Sequence, residues 1–489
     1  MARSRFPRTE VEAALLEDAI AYADRWVEYR QRTRRVPGVQ IAICHEDRIL
    51  LSRTYGSADL ETKVGLTAAT IFRVASHSKM FTATAAMLLV ERGALRLDDQ
   101  AGQRLPWLPN GPGEIGRTTI RQLLSHSAGV IRDGGVVGFW QLERDFLDSG
   151  QLRELLIGTP QVFSANERFK YSNIGYSLLG MVIESAAGMP YPDFVRAAIV
   201  ERLGLENTGP DLDGLDPGRL ATGYSADAYG LPPLPLAHVG TGAMAAATGF
   251  YSTAEDLCRF GRSQFLGNPE LLSDDSKREV QQELWSVEGT AVGYGLGFEI
   301  STVGGRRLVG HGGGFPGFIT STRIDPRERL VVVALTNSGA GPASELTGGI
   351  YRIINRALES PVSEDPASLD RFTGRFWSLG GASDFVRLGG QLLAISPELI
   401  DPTESMSELA QEGGDVLRIE TASGFASAGE RIRFRFDRSG MVERVDMPGA
   451  HLRPWEEYQR VRSTVEATRM GPRADPGTDP GANVTPSRV

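Results

Sequence analysis

Strand-like and helix-like stretches in this chain are segregated along its length, and that segregation limits the folds open to it. Residues 38–44 (GVQIAIC) and 49–56 (ILLSRTYG) read as two strands joined by the polar turn His45-Glu46-Asp47-Arg48. From Met80 to about Arg278, helical patterns and Gly- and Pro-rich loops dominate. Strand patterns return at residues 295–302, 306–310, 317–325 and 330–336. An amphipathic helix is expected before the first strand (residues 11–32) and another after the last (343–358). A chain so ordered builds one sheet from both of its ends, with the first and last helices covering one face. This is α+β layering, in which functional groups gather between the sheet and the helical insert. Helices are expected in the insert at residues 120–126, 142–156, 175–187, 191–203 and 253–264. The last of these opens on the capping-box pattern Ser252-Thr253-Ala254-Glu255.

A polar, Pro-bearing linker follows at residues 360–366. Beyond it, six short strand-like segments between residues 372 and 445 predict a small all-β barrel or half-barrel. The expected organisation is a first domain over residues 1–360, a β domain over 367–462 and a disordered tail over 465–489, which suits a chain of 489 residues. A net charge of −9 without a basic stripe argues against a nucleic-acid partner. Cys44 and Cys258 make no disulfide framework and read as buried thiols in a reducing compartment. The charged N-terminus lacks an apolar signal core, and the longest apolar run, LVVVAL at 330–335, has strand length. A cytoplasmic protein without a membrane partner is expected.

Ser76 stands three residues before Lys79, where strand-like Thr70-Ile71-Phe72 gives way to the helix-forming run ATAAMLLVE at 83–91. Residues three apart share a helix face, so Ser76 Oγ and Lys79 Nζ can meet. Burial and the positive end of the helix dipole both disfavour a charge on Lys79, and an amine that sheds its proton can take one from a serine. S-x-x-K alone also occurs on ordinary amphipathic helices. Further along, Tyr171-Ser172-Asn173 precedes a helix, and a tyrosine and an asparagine two apart can enter one cavity. Tyr171 could relay a proton if nearby cations lower its pKa, and Asn173 could orient Lys79 and bind a substrate amide. Gly310-His311-Gly312-Gly313-Gly314-Phe315-Pro316-Gly317 lies between two strand patterns, where glycines let a strand edge approach a substrate backbone. The His-Gly-Gly-Gly loop of lipase-type hydrolases requires a later G-x-S-x-G elbow, and none follows. The six histidines show no metal-ligand spacing, so neither a metal nor an organic cofactor is expected.

The order S-x-x-K, Y-x-N, H-x-G resembles the serine β-lactamase/penicillin-binding superfamily, in its class C-like branch of β-lactamases, D-Ala-D-Ala carboxypeptidases, D-aminopeptidases and esterases. TIRQLLSHSAG at 119–129, TGFYSTAEDL at 248–257 and YGLGF at 294–298 add to the likeness, which covers residues 12–358. The resemblance implies a β-lactamase-like fold with a lipocalin-like C-terminal domain. It also implies an acyl-enzyme on Ser76, activation by Lys79, proton relay by Tyr171, and substrate contacts from Asn173, His311, Gly313 and Gly314. The oxyanion hole would be formed by the N–H groups of Ser76 and Gly314. The His126 stretch reads as structural. His311 stands where many members carry the lysine of K-T-G, and a largely neutral imidazole weakens any pairing with a substrate carboxylate. The expectation is therefore a serine hydrolase of a small ester, amide or peptide, with D-amino-acid-containing substrates included, rather than an efficient β-lactamase. An acyltransferase using the same intermediate and a non-catalytic scaffold of the same fold are the alternatives. Self-association is left open.

Overall fold

The computed structural model describes residues 10–134, 138–158, 161–228, 230–361, 367–421 and 427–469. The chain divides into two compact units, one of residues 1–360 with 398–404, the other of 361–397 with 405–489.

The first unit is built on a nine-stranded sheet. Its early strands are β1 (Gly38–His45), β2 (Arg48–Asp59) and β3 (Val64–Gly65). Its late strands are β4 (Trp285–Ser286), β5 (Val292–Tyr294), β6 (Glu299–Val303), β7 (Arg306–Phe315), β8 (Phe318–Asp325) and β9 (Leu330–Thr336). The order is β3-β2-β1-β9-β8-β7-β6-β5-β4. The two chain ends join where β1 pairs antiparallel with β9, from Val39 opposite Thr336 to His45 opposite Leu330. Every residue of β9 is buried, as a β-branched run in the middle of a sheet covered on both faces should be. Each such Val or Leu contributes about 1.5–3 kcal/mol by leaving water.

Helices α1 (Glu10–Thr33) and, at the far end of the unit, Ala343–Leu358 pack together and against the sheet. Trp26 of α1 is fully buried, and its ring lies where a Cβ on Gly349 would stand, so glycine at 349 sets the closeness of the two helices. Val331, Val333 and Leu335 project to the other side, into a large core shared with the insert. That core holds α2 (Ser78–Glu91) and α3 (Asn173–Ala187).

Several expected bounds move. The helix expected over 142–156 is Ser149–Gly158, because Leu142 takes a left-handed backbone at φ +59° and ends a short turn there. The helix expected over 191–203 is α-helical only at Tyr191–Val195 and then widens into a π-type turn, Arg196–Val200. The strand expected over 295–302 begins at Glu299, since residues 295–298 turn, with Gly297 at φ +83°. Strands β4 and β5 were not anticipated, being too short to carry a period.

The second unit is an eight-stranded antiparallel meander running from Gly374–Ser378 to Ala450–Leu452. Trp377 and Arg453 exchange backbone hydrogen bonds of 2.7 and 2.9 Å, joining the first strand to the segment after the last. The interior is filled by Phe376, Phe385, Leu417, Ile432 and Phe434, inward-facing residues of their strands, and by Phe372 just before the first strand. A helix, Trp455–Arg469, runs past the expected start of the tail at Val465; the rest of the tail lies outside the described residues, as do residues 362–366 of the linker.

Candidate active site

From Ile71 to Leu89 every residue is buried except Ser76, which is half-buried. A two-residue strand, Phe72–Arg73, pairs with Tyr251–Ser252 and delivers the chain to a tight 3-10 turn, Ala75–His77, that leads into α2. Ala75 sits in the left-handed region at φ +49°, a backbone state costing about 1–3 kcal/mol for a non-glycine residue. Packing holds it there. Val74 N–H donates to Phe250 O (3.0 Å), and Ser78 Oγ donates to Ala75 O (2.5 Å) while accepting from Phe250 N–H (3.0 Å).

Lys79, in the first turn of α2, is fully buried, with Nζ 3.2 Å from Ser76 Oγ. Nζ also lies 2.8 Å from Asn173 Oδ1 and 2.8 Å from Ala247 O. Burial pushes the Lys79 pKa well down, and the nearby Asp133 offsets this only in part. Nζ thus donates to three acceptors, and loss of one proton would leave two N–H groups for Asn173 and Ala247 and a lone pair for the serine. Tyr171 Oη donates to Ser76 Oγ at 2.8 Å. Burial raises the Tyr171 phenol above its ordinary value despite Arg132 beside its ring, so the expected lowering by cations does not occur. Burial thus keeps the phenol protonated and eases the loss of a proton from Lys79, which favours the lysine as the group that takes the serine proton.

Asn173 opens α3 behind the N-cap Ser172, whose Oγ accepts from Gly175 N–H (2.8 Å). Its Nδ2 donates to Asp133 Oδ1 (2.6 Å), so both ends of the amide are engaged and its Oδ1 is turned toward Lys79. Asp133 is the positioning residue that sequence reasoning missed. It lies in a loop without periodicity, which is tied to the site by backbone bonds from Asn173 and Ile174 N–H to Arg132 O and by Ser172 Oγ donating to Ile131 O (2.6 Å). His126 is buried among the rings of Tyr171, Tyr176 and Tyr294, and its Nδ1 accepts from Ser172 N–H (3.1 Å). It therefore fixes the loop that carries Tyr171.

Strand β7 forms the opposite wall. His311 Nδ1 meets Gly312 O (2.6 Å), Nε2 meets Tyr294 Oη (3.1 Å), and burial with Lys79 nearby lowers its pKa to about 3. It is neutral at physiological pH. A Cβ on Gly313 would stand 2.3 Å from both Val74 O and Thr320 Oγ1, so glycine there lets the strand close against the serine-bearing turn. Gly314 is exposed, and a Cβ there would meet only Ile319 Cδ1 at 3.7 Å. Gly312 N–H points to the open strand edge, where it donates to Glu299 Oε2 (3.2 Å). By strand alternation, the N–H of Gly314 points to that same edge. A cleft of about 390 Å³ lies along this edge, with Arg132, Tyr171, Tyr294, Glu299, His311 and Gly312 in its lining. Ser76, Lys79, Tyr171, Asn173 and His311 are thus brought together, while Gly313 is spent on packing.

Among the described residues, no group of three His, Cys, Asp or Glu side chains could hold a metal ion, and no helix is long and apolar enough to cross a membrane.

Comparison with known proteins places this geometry. The family model described as Beta-lactamase matches residues 23–353. Penicillin-binding protein 4* of Bacillus subtilis (strain 168) is 31% identical over 301 residues, covering 58% of this chain and 65% of that protein, so the match spans just under two thirds of that relative's length. A putative D-alanyl-D-alanine carboxypeptidase of Escherichia coli (strain K12) is 26% identical over 370 residues, 66% of this chain and 83% of the other. Among solved structures, the octameric penicillin-binding protein homologue from Pyrococcus abyssi has a TM-score of 0.62 at 22% identity. That match covers 88% of this chain and 99% of that one, and at this identity it is a likeness of fold. A D-stereospecific amidohydrolase from Streptomyces sp. has a TM-score of 0.56 at 26% identity, over 68% of this chain and 96% of that one. The matched segment contains the whole nine-stranded sheet, the helical insert and all three motifs, and the chain belongs to the beta-lactamase family, within the superfamily of serine hydrolases that includes the penicillin-binding proteins.

Proposed function

We propose that this protein hydrolyses small esters, amides or peptides through an acyl-enzyme on Ser76. The observation that carries the proposal is the convergence on Ser76 Oγ of a buried lysine amine at 3.2 Å and a phenol at 2.8 Å. Lys79 takes the serine proton as Oγ attacks the carbonyl carbon. The N–H groups of Ser76 and Gly314 receive the charge that develops on the carbonyl oxygen. Tyr171 gives its proton to the leaving group, and the proton held by Lys79 restores the phenol. Water then attacks the acyl carbon and gives a proton to Lys79, and Ser76 Oγ leaves and takes that proton back. Asn173, held by Asp133, keeps Lys79 in place. D-amino-acid-containing substrates belong to the proposal, in keeping with relatives described as a D-alanyl-D-alanine carboxypeptidase and a D-stereospecific amidohydrolase. Acyl transfer would need only an amine or alcohol in place of water, and product analysis with added acceptors distinguishes it.

The test is intact-mass spectrometry after incubation with a fluorophosphonate, a penicillin and p-nitrophenyl acetate, on the wild type and Ser76→Ala. The expected result is one adduct, mapped to Ser76 and absent from the variant. A folded protein labelled by none of the three would leave the scaffold alternative standing.

A further inference from the structure

The charge pattern of the cleft bears on which substrates it accepts. Pairing between β6 and β7 ends at Glu299 opposite Gly310, so the β7 edge beyond that point has no strand partner there. An extended substrate would pair with this edge, and Gly312 N–H would be its donor to a substrate carbonyl. That donor is already taken by Glu299 Oε2 at 3.2 Å, and Glu299 Oε1 lies 3.5 Å from His311 Nδ1. Where a cation would receive a carboxylate, this chain presents a neutral imidazole with both nitrogens occupied, and beside it an acid. Arg132, across the cleft, is engaged by Asp133 (3.1 Å) and lies over the Tyr171 ring (5.2 Å). Phe169, Tyr171 and Tyr294 supply aromatic faces, which also attract cations.

We infer that Glu299 makes this wall a receptor for a positively charged nitrogen, so that the enzyme selects esters and amides carrying an ammonium group near the scissile bond over those carrying a carboxylate. An incoming carboxylate meets the Glu299 carboxylate and an imidazole already bonded at both nitrogens, and the one cation lining the cleft among the described residues, Arg132, is paired with Asp133 across from them. An ammonium group gains a charged partner and aromatic faces. The inference rests on the function proposed above and names its substrate class.

The experiment compares D-alanine p-nitroanilide with its N-acetyl and N-succinyl forms, which share a leaving group and differ in charge. It uses the wild type, Glu299→Gln and Glu299→Lys, each also labelled with a fluorophosphonate. Wild-type kcat/KM should fall in the order ammonium, acetyl, succinyl, by about fivefold per step as expected for a part-exposed charge, mostly through KM. Glu299→Gln should compress the series to within about threefold, and Glu299→Lys should reverse it. Label on Ser76 with no such order in the wild type, or with an order that survives Glu299→Gln, would overturn the inference while leaving the proposed function intact. Absence of label from the wild type would overturn both.

Discussion

At the scale of single residues, the chemistry turns on one proton. Lys79 is fully buried, and desolvation lowers its pKa well below the ordinary 10.5, with Arg132 adding to the lowering while Asp133 and Glu299 oppose it. Raising the pH deprotonates Lys79, so kcat/KM for a neutral ester should rise with pH and level off well below 10.5. Lys79→Arg cannot shed its proton, and it should lower kcat/KM by about 10²- to 10⁴-fold and erase that limb. A pH–rate profile of both proteins checks this; an unchanged limb in the variant would assign it to another group. Ser76 and Lys79 were legible in the chain as an i, i+3 pair at a helix start, and Tyr171 and Asn173 were legible only through the order of motifs that resembles the family. Asp133 was not, because its role depends on the path of a loop. The protonated state of Tyr171 was also hidden, since burial outweighs Arg132 and burial is a tertiary property.

At the scale of elements, the site depends on how closely β7 packs against the turn at Ala75–His77. Gly313→Ala would place a methyl 2.3 Å from Val74 O and Thr320 Oγ1, and backbone must give way. The expected outcome is a loss of about 1–3 kcal/mol of stability and a drop in kcat/KM larger than the loss of folded protein, because the shift parts the strand from Ser76. Gly314→Ala meets nothing closer than 3.7 Å and should keep the stability of the wild type. Urea titrations and ester kinetics on the pair make the comparison, and equal effects would refute it. The Gly-rich stretch was visible in the chain as a place of close approach. Which glycine packs and which stays exposed depends on strand alternation and on the neighbour across the gap.

At the scale of the whole molecule, the first unit buries histidines that cannot be charged. His77 and His311 are held at about 3, against 6.5 for a free side chain, chiefly by burial. Above pH 6.5 both stay neutral in either state and stability is full. Below it only the unfolded chain binds the protons, so stability falls toward pH 3 by about 1.4 kcal/mol per unit for each histidine. Urea midpoints at pH 7.5 and 5 should differ accordingly, and His77→Gln should reduce the slope; identical midpoints would rule the account out. By itself, the sequence determined the segregation of strands and helices, and with it the sheet made from both chain ends and the β-barrel-like second unit, and it set Ser76 and Lys79 on one helix face. Those follow from hydrophobic period and from contacts within a turn or two. Only the tertiary structure decided that Tyr171 meets Ser76, that Asp133 holds Asn173, and that Glu299 caps the open strand edge. Desolvation and contacts across distant segments exist only once the insert has closed on the sheet.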